Sequence, residues 1–204
     1  MLLRTVAILR LYDPKRSQAL ALQCWSAGMD LVEVPVQGER GWAALAAVSA
    51  IAGGRPFGAG TVLTPDDVRR AADLGASVAI SPGIDNDVVQ AAVAAGMEPV
   101  PGVFTASDLT LASRLGVTAA KLFPASLAGP QWLGAMRGPF PGMRFIAVGG
   151  IDMANAAEFL AAGACGVGFG SSVEEILAAS DPKAVVDRLH AICDQPSLAP
   201  ESMI

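Results

Sequence analysis

The stretch RFIAVGGIDMANAAEFLAAGACGVGFGSS (144–172) decides the fold. It opens on the apolar run RFIAVGG (144–150), which is short, ends in glycine and reads as a strand buried on both faces. An Ala-rich amphipathic segment follows over 153–163, with Asp152 placed to cap it and Gly163 to stop it. A second apolar run, CGVGFG (165–170), then begins. Strand, helix and strand within about 30 residues make the βαβ unit of a parallel sheet.

The same unit repeats upstream. The earlier apolar runs are TVAILR (5–10), DLVEVPV (30–36), PFGAG (56–60), SVAIS (77–81), EPVPG (98–102) and AAKLF (119–123). They recur about every 20–26 residues, the length of a short βα unit. Helices are predicted at 14–28, 40–53, 65–75, 85–95, 106–116, 130–137, 153–163 and 182–193. Thr64 before Pro65-Asp66-Asp67, Asp85, Ser107 and Asp152 are candidate caps. Gly28, Gly75, Gly96, Gly116 and Gly163 are candidate left-handed stops.

Eight strands alternating with helices predict an α/β fold, a single-domain (β/α)8 TIM barrel over residues 1–193. The alternative is a doubly wound open sheet. That fold would place G-x-G-x-x-G after the first strand, where RLYDPKR (10–16) has no glycine. The C-terminal tail DQPSLAPESMI (194–204) is polar and contains proline, so it is expected to be loosely held.

Composition narrows the function. The chain has 204 residues, a net charge of −5, 52% hydrophobic and 16% charged residues, which suits one folded domain and not a disordered chain. So low a charge fraction points to outer surface covered by a partner subunit. No basic run argues for nucleic acid, and no apolar stretch is long enough to cross a membrane. No signal peptide is expected in MLLRTVAILRLYDPKR (1–16). Cys24, Cys165 and Cys193 are odd in number, far apart and without C-x-x-C spacing, which reads as reduced thiols in a cytoplasmic protein. His190 is the one histidine, so neither a Ser-His-Asp triad at its usual spacing nor a multi-histidine metal site is expected. No metal and no cofactor is predicted.

In a TIM barrel the site sits at the C-terminal ends of the strands. Those ends carry Arg10, Glu33, Thr61, Pro82, Lys121, Gly149, Gly150, Gly170 and Ser171. Lys121 is one of three lysines, and the one inside an apolar strand. Burial favours a neutral amine, which attacks carbonyl groups; the bland alternative is a lysine snorkelling to solvent. Glu33 alternates with Val32 and Val34, which sets it on the opposite face. An inward carboxylate there moves protons, or only balances the charge of Arg10 or Lys121. Arg10 has the rigid fork that suits a carboxylate. VGGID (148–152) and GFGSS (168–172) follow the last two strands, where barrels hold phosphate on backbone N–H groups.

The pieces AILR (7–10), AGMDLVEVPV (27–36), GAGTVL (58–63), ISPGI (80–84), PVPGVFTASDL (99–109), KLFPAS (121–126), AVGGI (147–151) and GFGSS (168–172) stand in order along residues 4–176. Together they resemble the class I 2-keto-3-deoxy-6-phosphogluconate/2-keto-3-deoxy-6-phosphogalactonate aldolase family. The resemblance implies that Lys121 forms a Schiff base and that Glu33 is the acid/base. It sets Arg10 near the substrate carboxylate and Thr61 near the pyruvyl end. It sets Gly149, Gly150, Gly170 and Ser171 around the phosphate.

Members that use the gluconate epimer usually carry arginine and threonine where this chain has Gln37 and Val148. GPQWLGAM (129–136) also looks like the galactonate branch. The resemblance therefore implies cleavage of 2-dehydro-3-deoxy-6-phosphogalactonate to pyruvate and D-glyceraldehyde 3-phosphate, with the gluconate epimer or both epimers as the alternative. A homotrimer is implied because it is common in the family. The family often reads ILRG where this chain reads ILRLY (8–12). Other phosphate-binding barrels, or a catalytically silent metabolite-binding barrel, would keep the glycine loops but have no use for Lys121 and Glu33 together.

Overall fold

The computed structural model describes residues 2–194. The elements run β1 (Thr5–Ile8), α1 (Pro14–Ser26), β2 (Leu31–Pro35), α2 (Gly38–Ala52), β3 (Phe57–Gly60), α3 (Pro65–Asp73), β4 (Val78–Ile80), α4 (Asn86–Ala94), β5 (Glu98–Val100), β6 (Gly102–Val103), α5 (Ala106–Arg114) and β7 (Ala119–Leu122). After them come α6 (Ala125–Ala128), α7 (Gln131–Arg137), β8 (Arg144–Val148), α8 (Ala156–Ala161), β9 (Gly166–Phe169), α9 (Val173–Leu177) and α10 (Pro182–Cys193). The tail predicted from 194 lies, beyond Asp194, outside the described residues.

The strands form one parallel sheet in the order β5-β4-β3-β2-β1-β9-β8-β7-β6. Its two end strands, β5 and β6, are halves of one stave joined through Pro101, so the sheet closes into the eight-staved barrel that the sequence predicts. The break has a physical cause. The carbonyls of Pro101 and Val103 accept from Lys121 and Phe123 of the β7 segment. Alternation along a strand turns Pro99 to that same side. Both prolines lack the N–H that pairing with β7 would need there. The stave therefore pairs with β4 through Glu98–Val100 and with β7 only from Gly102 onward.

Two cores hold the barrel. The inner one contains Val6, Ile8, Leu31, Val78, Ile80, Val100, Ile146 and Val148. The outer one packs Val32, Val34, Phe145 and Phe169 against helix residues such as Leu20, Leu45, Leu109 and Leu189. Each large apolar side chain so buried contributes about 1.5–3 kcal/mol. The inner space is narrow because glycines line it. A Cβ at Gly168 would come within 2.8 Å of Val148 Cγ2, and one at Gly58 within 2.9 Å of the Val78 carbonyl oxygen.

The helix signals are mostly where the sequence sets them. Thr64 and Asp67 form a capping box, and Asp85 caps α4. Gly28, Gly75, Gly96, Gly116 and Gly163 all take positive φ. Two caps differ. Thr105, not Ser107, caps α5, because Asp108 lies three residues on and completes a capping box with it. Asp152 accepts from Ala154 and Asn155 N–H groups and so caps a turn, while α8 starts only at Ala156. The short helices α6 and α9 were not predicted; each is under two turns and too short to show a period. Among the described residues no helix is long and apolar enough to cross a membrane.

Candidate active site

Lys121 and Glu33 meet inside the mouth of the barrel. They stand on β7 and β2, four steps apart along the sheet order, so they can meet only by pointing inward. Lys121 Nζ lies 3.8 Å from Glu33 Oε1, with the side chains 3% and 1% exposed. This is an ion-pair distance and not a hydrogen bond. Glu33 Oε1 has no hydrogen-bond partner among the described residues. Burial pushes the Glu33 carboxyl above its ordinary range, and the charges of Lys121 and Arg10 oppose that shift without cancelling it. Val32 and Val34 face the outer core, as the alternation predicts.

The neighbours make room for this pair. A Cβ at Gly60 of β3 would fall within 2.7 Å of Glu33 Cγ, so the glycine is what admits the carboxylate. Lys121 Nζ also lies 4.9 Å from the centroid of the Phe123 ring, close enough for a cation–π contact. That ring lies under Gly149, where a Cβ would approach it to 3.0 Å. Neither Gly60 nor Phe123 was singled out from sequence. The first hides in a GAGT loop that several backbone roles explain, and the second reads as ordinary strand hydrophobe.

Arg10 is exposed at the end of β1, and its Nη1 donates to Oε1 of Gln37 beyond β2. The next residue, Leu11, has φ 66°, and Thr61 after β3 has φ 56°. They are the only non-glycine residues with positive φ among the described residues. Leu11, which stands where ILRG has its glycine, takes a left-handed backbone at a cost of about 1–2 kcal/mol. Thr61 is β-branched, so its backbone is strained, and the strain lies at the barrel mouth beside Gly60.

The two glycine loops come together at the same mouth. Gly149 and Gly150 have φ 95° and 72°, a path that favours glycine. Asn155 Nδ2 donates to the Gly150 carbonyl at 2.8 Å, and its Oδ1 accepts from Asp152 N–H at 3.1 Å. Ser172 Oγ donates to the Ile151 carbonyl at 2.8 Å, which ties the loop after β9 to the loop after β8. Gly170 opens on free space, and Ser171 is exposed. Val148 is 5% exposed and ends the inner core just before Gly149. The sequence singled out Ser171 here but not Asn155 or Ser172, whose roles lie in contacts between loops. Among the described residues no group of three or more His, Cys, Asp or Glu side chains could hold a metal.

A model of the family described as "KDPG and KHG aldolase" matches residues 2–188. The chain belongs to the KDPG and KHG aldolase family. That makes it an aldolase, a lyase of carbon–carbon bonds. The chain is 35% identical over 170 residues to the "Probable 2-dehydro-3-deoxy-6-phosphogalactonate aldolase" of Rhizobium meliloti (strain 1021), covering 82% of this chain and 80% of that protein. It is also 35% identical over 170 residues to the "2-dehydro-3-deoxy-6-phosphogalactonate aldolase" of Escherichia coli (strain K12), covering 82% and 83%. A solved structure described as "Native KDPGal structure" superposes with a TM-score of 0.82 at 32% identity, over 94% of this chain and 96% of that one. The KDPG aldolase of Legionella pneumophila, solved with pyruvate captured as a covalent carbinolamine, superposes with a TM-score of 0.79 at 27% identity, over 94% of each.

In this aldolase Lys121 and Glu33 lie near the C-terminal ends of β7 and β2, and Leu11 after β1 takes a left-handed backbone.

Proposed function

We propose that this aldolase cleaves 2-dehydro-3-deoxy-6-phosphogalactonate through a Schiff base on Lys121. The observation that carries the reading is the buried Lys121–Glu33 contact at 3.8 Å. Lys121 passes a proton to Glu33 and its amine attacks the C2 ketone; that proton then leaves with the C2 oxygen as water, which gives an iminium. The iminium accepts the electron pair of the C3–C4 bond as Glu33, directly or through a water, takes the C4 hydroxyl proton. Glyceraldehyde 3-phosphate leaves. Glu33 then returns a proton to C3 of the enamine, and hydrolysis frees pyruvate and Lys121. A carboxyl whose pKa is raised by burial suits both halves of that cycle.

Arg10, held by Gln37, faces the substrate carboxylate in this reading, and Thr61 lies by the pyruvyl end. The loops of Gly149, Gly150, Gly170 and Ser171 take the phosphate, so remote binding energy sets C4 over the base. Val148 stands where it meets the C4 hydroxyl and offers it no hydrogen bond. That favours the galactonate epimer, and the names of the relatives support the choice. Pyruvate release from the two C4 epimers tests this. A higher kcat/KM on the galactonate epimer is expected; equal values or the reverse would overturn the assignment.

A cytoplasmic homotrimer completes the reading. Leu63 and Phe104, on loops at the barrel mouth, and Leu127, on α6, are 60%, 40% and 78% exposed, more apolar surface than isolated residues need. The three free cysteines suit a reducing compartment.

A further inference from the structure

The first and last loops of the barrel are latched together by a carboxylate that the proposed chemistry does not use. Glu174 is the second residue of α9, three residues past Ser171. The Tyr12 hydroxyl donates to its Oε1 at 2.6 Å, and Arg16 Nη2 donates to its Oε2 at 2.5 Å. Both oxygens are therefore held by the segment between β1 and the first turn of α1. The hydrogen bonds from Tyr12 and Arg16 keep the Glu174 carboxyl below its ordinary range. Burial and Glu174 push the Tyr12 hydroxyl up to about 12, so it stays a donor at any working pH.

The segment is tied on its other flank as well, by Arg10 donating to Gln37. Leu11, with φ 66°, turns the chain between these two ties. Arg10 thus goes towards β2 and Tyr12 towards β9, the two neighbours of β1 in the sheet. The loop after β9 is likewise held from two sides, by Ser172 on the Ile151 carbonyl and by Glu174 on Tyr12 and Arg16. Gly170 and Ser171 lie between the end of β9 and those anchors, with Gly170 half-buried and Ser171 exposed.

We propose that Tyr12 and Arg16, acting through Glu174, are positioning residues that set the separation between Arg10 and the Gly170–Ser171 loop, and so select a keto acid that carries an anion at each end. This rests on the aldolase reading above. A substrate gripped at both ends gains the second contact at little cost only when the two grips are already at the right spacing. Arg16 also pairs with the charge of a carboxylate three residues past Ser171. A substrate without the phosphate uses one grip and has no use for the spacing.

The test compares Tyr12→Phe and Arg16→Met with the native chain in three measurements. The first is cleavage of the phosphorylated six-carbon keto acid. The second is condensation of pyruvate with unphosphorylated glyceraldehyde. The third is borohydride trapping of pyruvate. KM for the phosphorylated substrate is expected to rise about five- to tenfold in each variant, with kcat within about twofold. kcat/KM for unphosphorylated glyceraldehyde stays at the native value, and Glu174→Gln, which keeps an acceptor for Tyr12, shows a smaller KM rise than Arg16→Met. If a native chain that traps pyruvate yields variants impaired equally on both substrates, or on neither, the latch is overturned alone. A native chain that traps no pyruvate overturns the aldolase reading and the latch with it.

Discussion

Lys121 Nζ and Glu33 Oε1 stand 3.8 Å apart across the barrel, where neither side chain reaches solvent. The pair links acid–base chemistry to stability. Because burial raises the Glu33 pKa above its ordinary 4.5, the acid limb of kcat/KM will have its midpoint above 4.5. Glu33→Gln will remove that limb and lower kcat by about 10²–10⁴. A limb at or below the ordinary value would contradict the assignment of Glu33 as base.

The same shift sets the sign of a stability effect. The folded barrel binds the Glu33 proton more tightly than the unfolded chain does. The stabilisation is full below the unfolded value of 4.5 and is lost as pH rises through the folded value. Urea unfolding of the native chain will therefore lose stability relative to Glu33→Gln as pH rises from 4.5 through that window. Parallel curves for the two proteins would argue that Glu33 is not perturbed.

Gly60 admits Glu33 because a Cβ there would fall within 2.7 Å of Glu33 Cγ. Gly60→Ala is expected to displace the carboxylate, lowering kcat more than about tenfold and stability by about 1–3 kcal/mol. A variant with native kcat would show that the carboxylate position is not what the chemistry needs.

Much of this was legible before any coordinate. Eight apolar runs with glycine stops specify the barrel, because a parallel stave buried on both faces must be apolar along its length. Lys121 and Glu33 stand out for the same reason, as charges in such runs. What stayed hidden depends on partners distant in sequence. The split stave follows from which side Pro99 and Pro101 face. The roles of Gly60, Asn155 and Ser172 are contacts to other loops, and Thr105 displaced Ser107 as a cap through its pairing with Asp108. Leu11 could be seen to replace a glycine, but its φ of 66° could not.

Leu11 is 72% exposed in a left-handed backbone. Leu11→Gly relieves about 1–2 kcal/mol of steric cost and returns about 0.5–1 kcal/mol in unfolded-chain entropy. A net gain of about 0.5–1 kcal/mol in urea unfolding is expected. A loss of stability would mean that the leucine makes contacts worth more than the strain.

Val148 closes the inner core at the mouth with no polar atom. Val148→Thr will move the kcat/KM ratio of the two C4 epimers towards the gluconate epimer by about tenfold, since a hydroxyl restores a partner for that configuration. An unchanged ratio would remove Val148 from the account of specificity.

The central claim is that Lys121 is the Schiff-base nucleophile, and trapping tests it most directly. The chain carries three lysines, Lys15, Lys121 and Lys183, so a peptide map after treatment with pyruvate and borohydride is unambiguous. A stable carboxyethyl adduct on Lys121, absent from Lys121→Met, is the predicted result. No adduct, or an adduct confined to Lys15 or Lys183, would contradict the account.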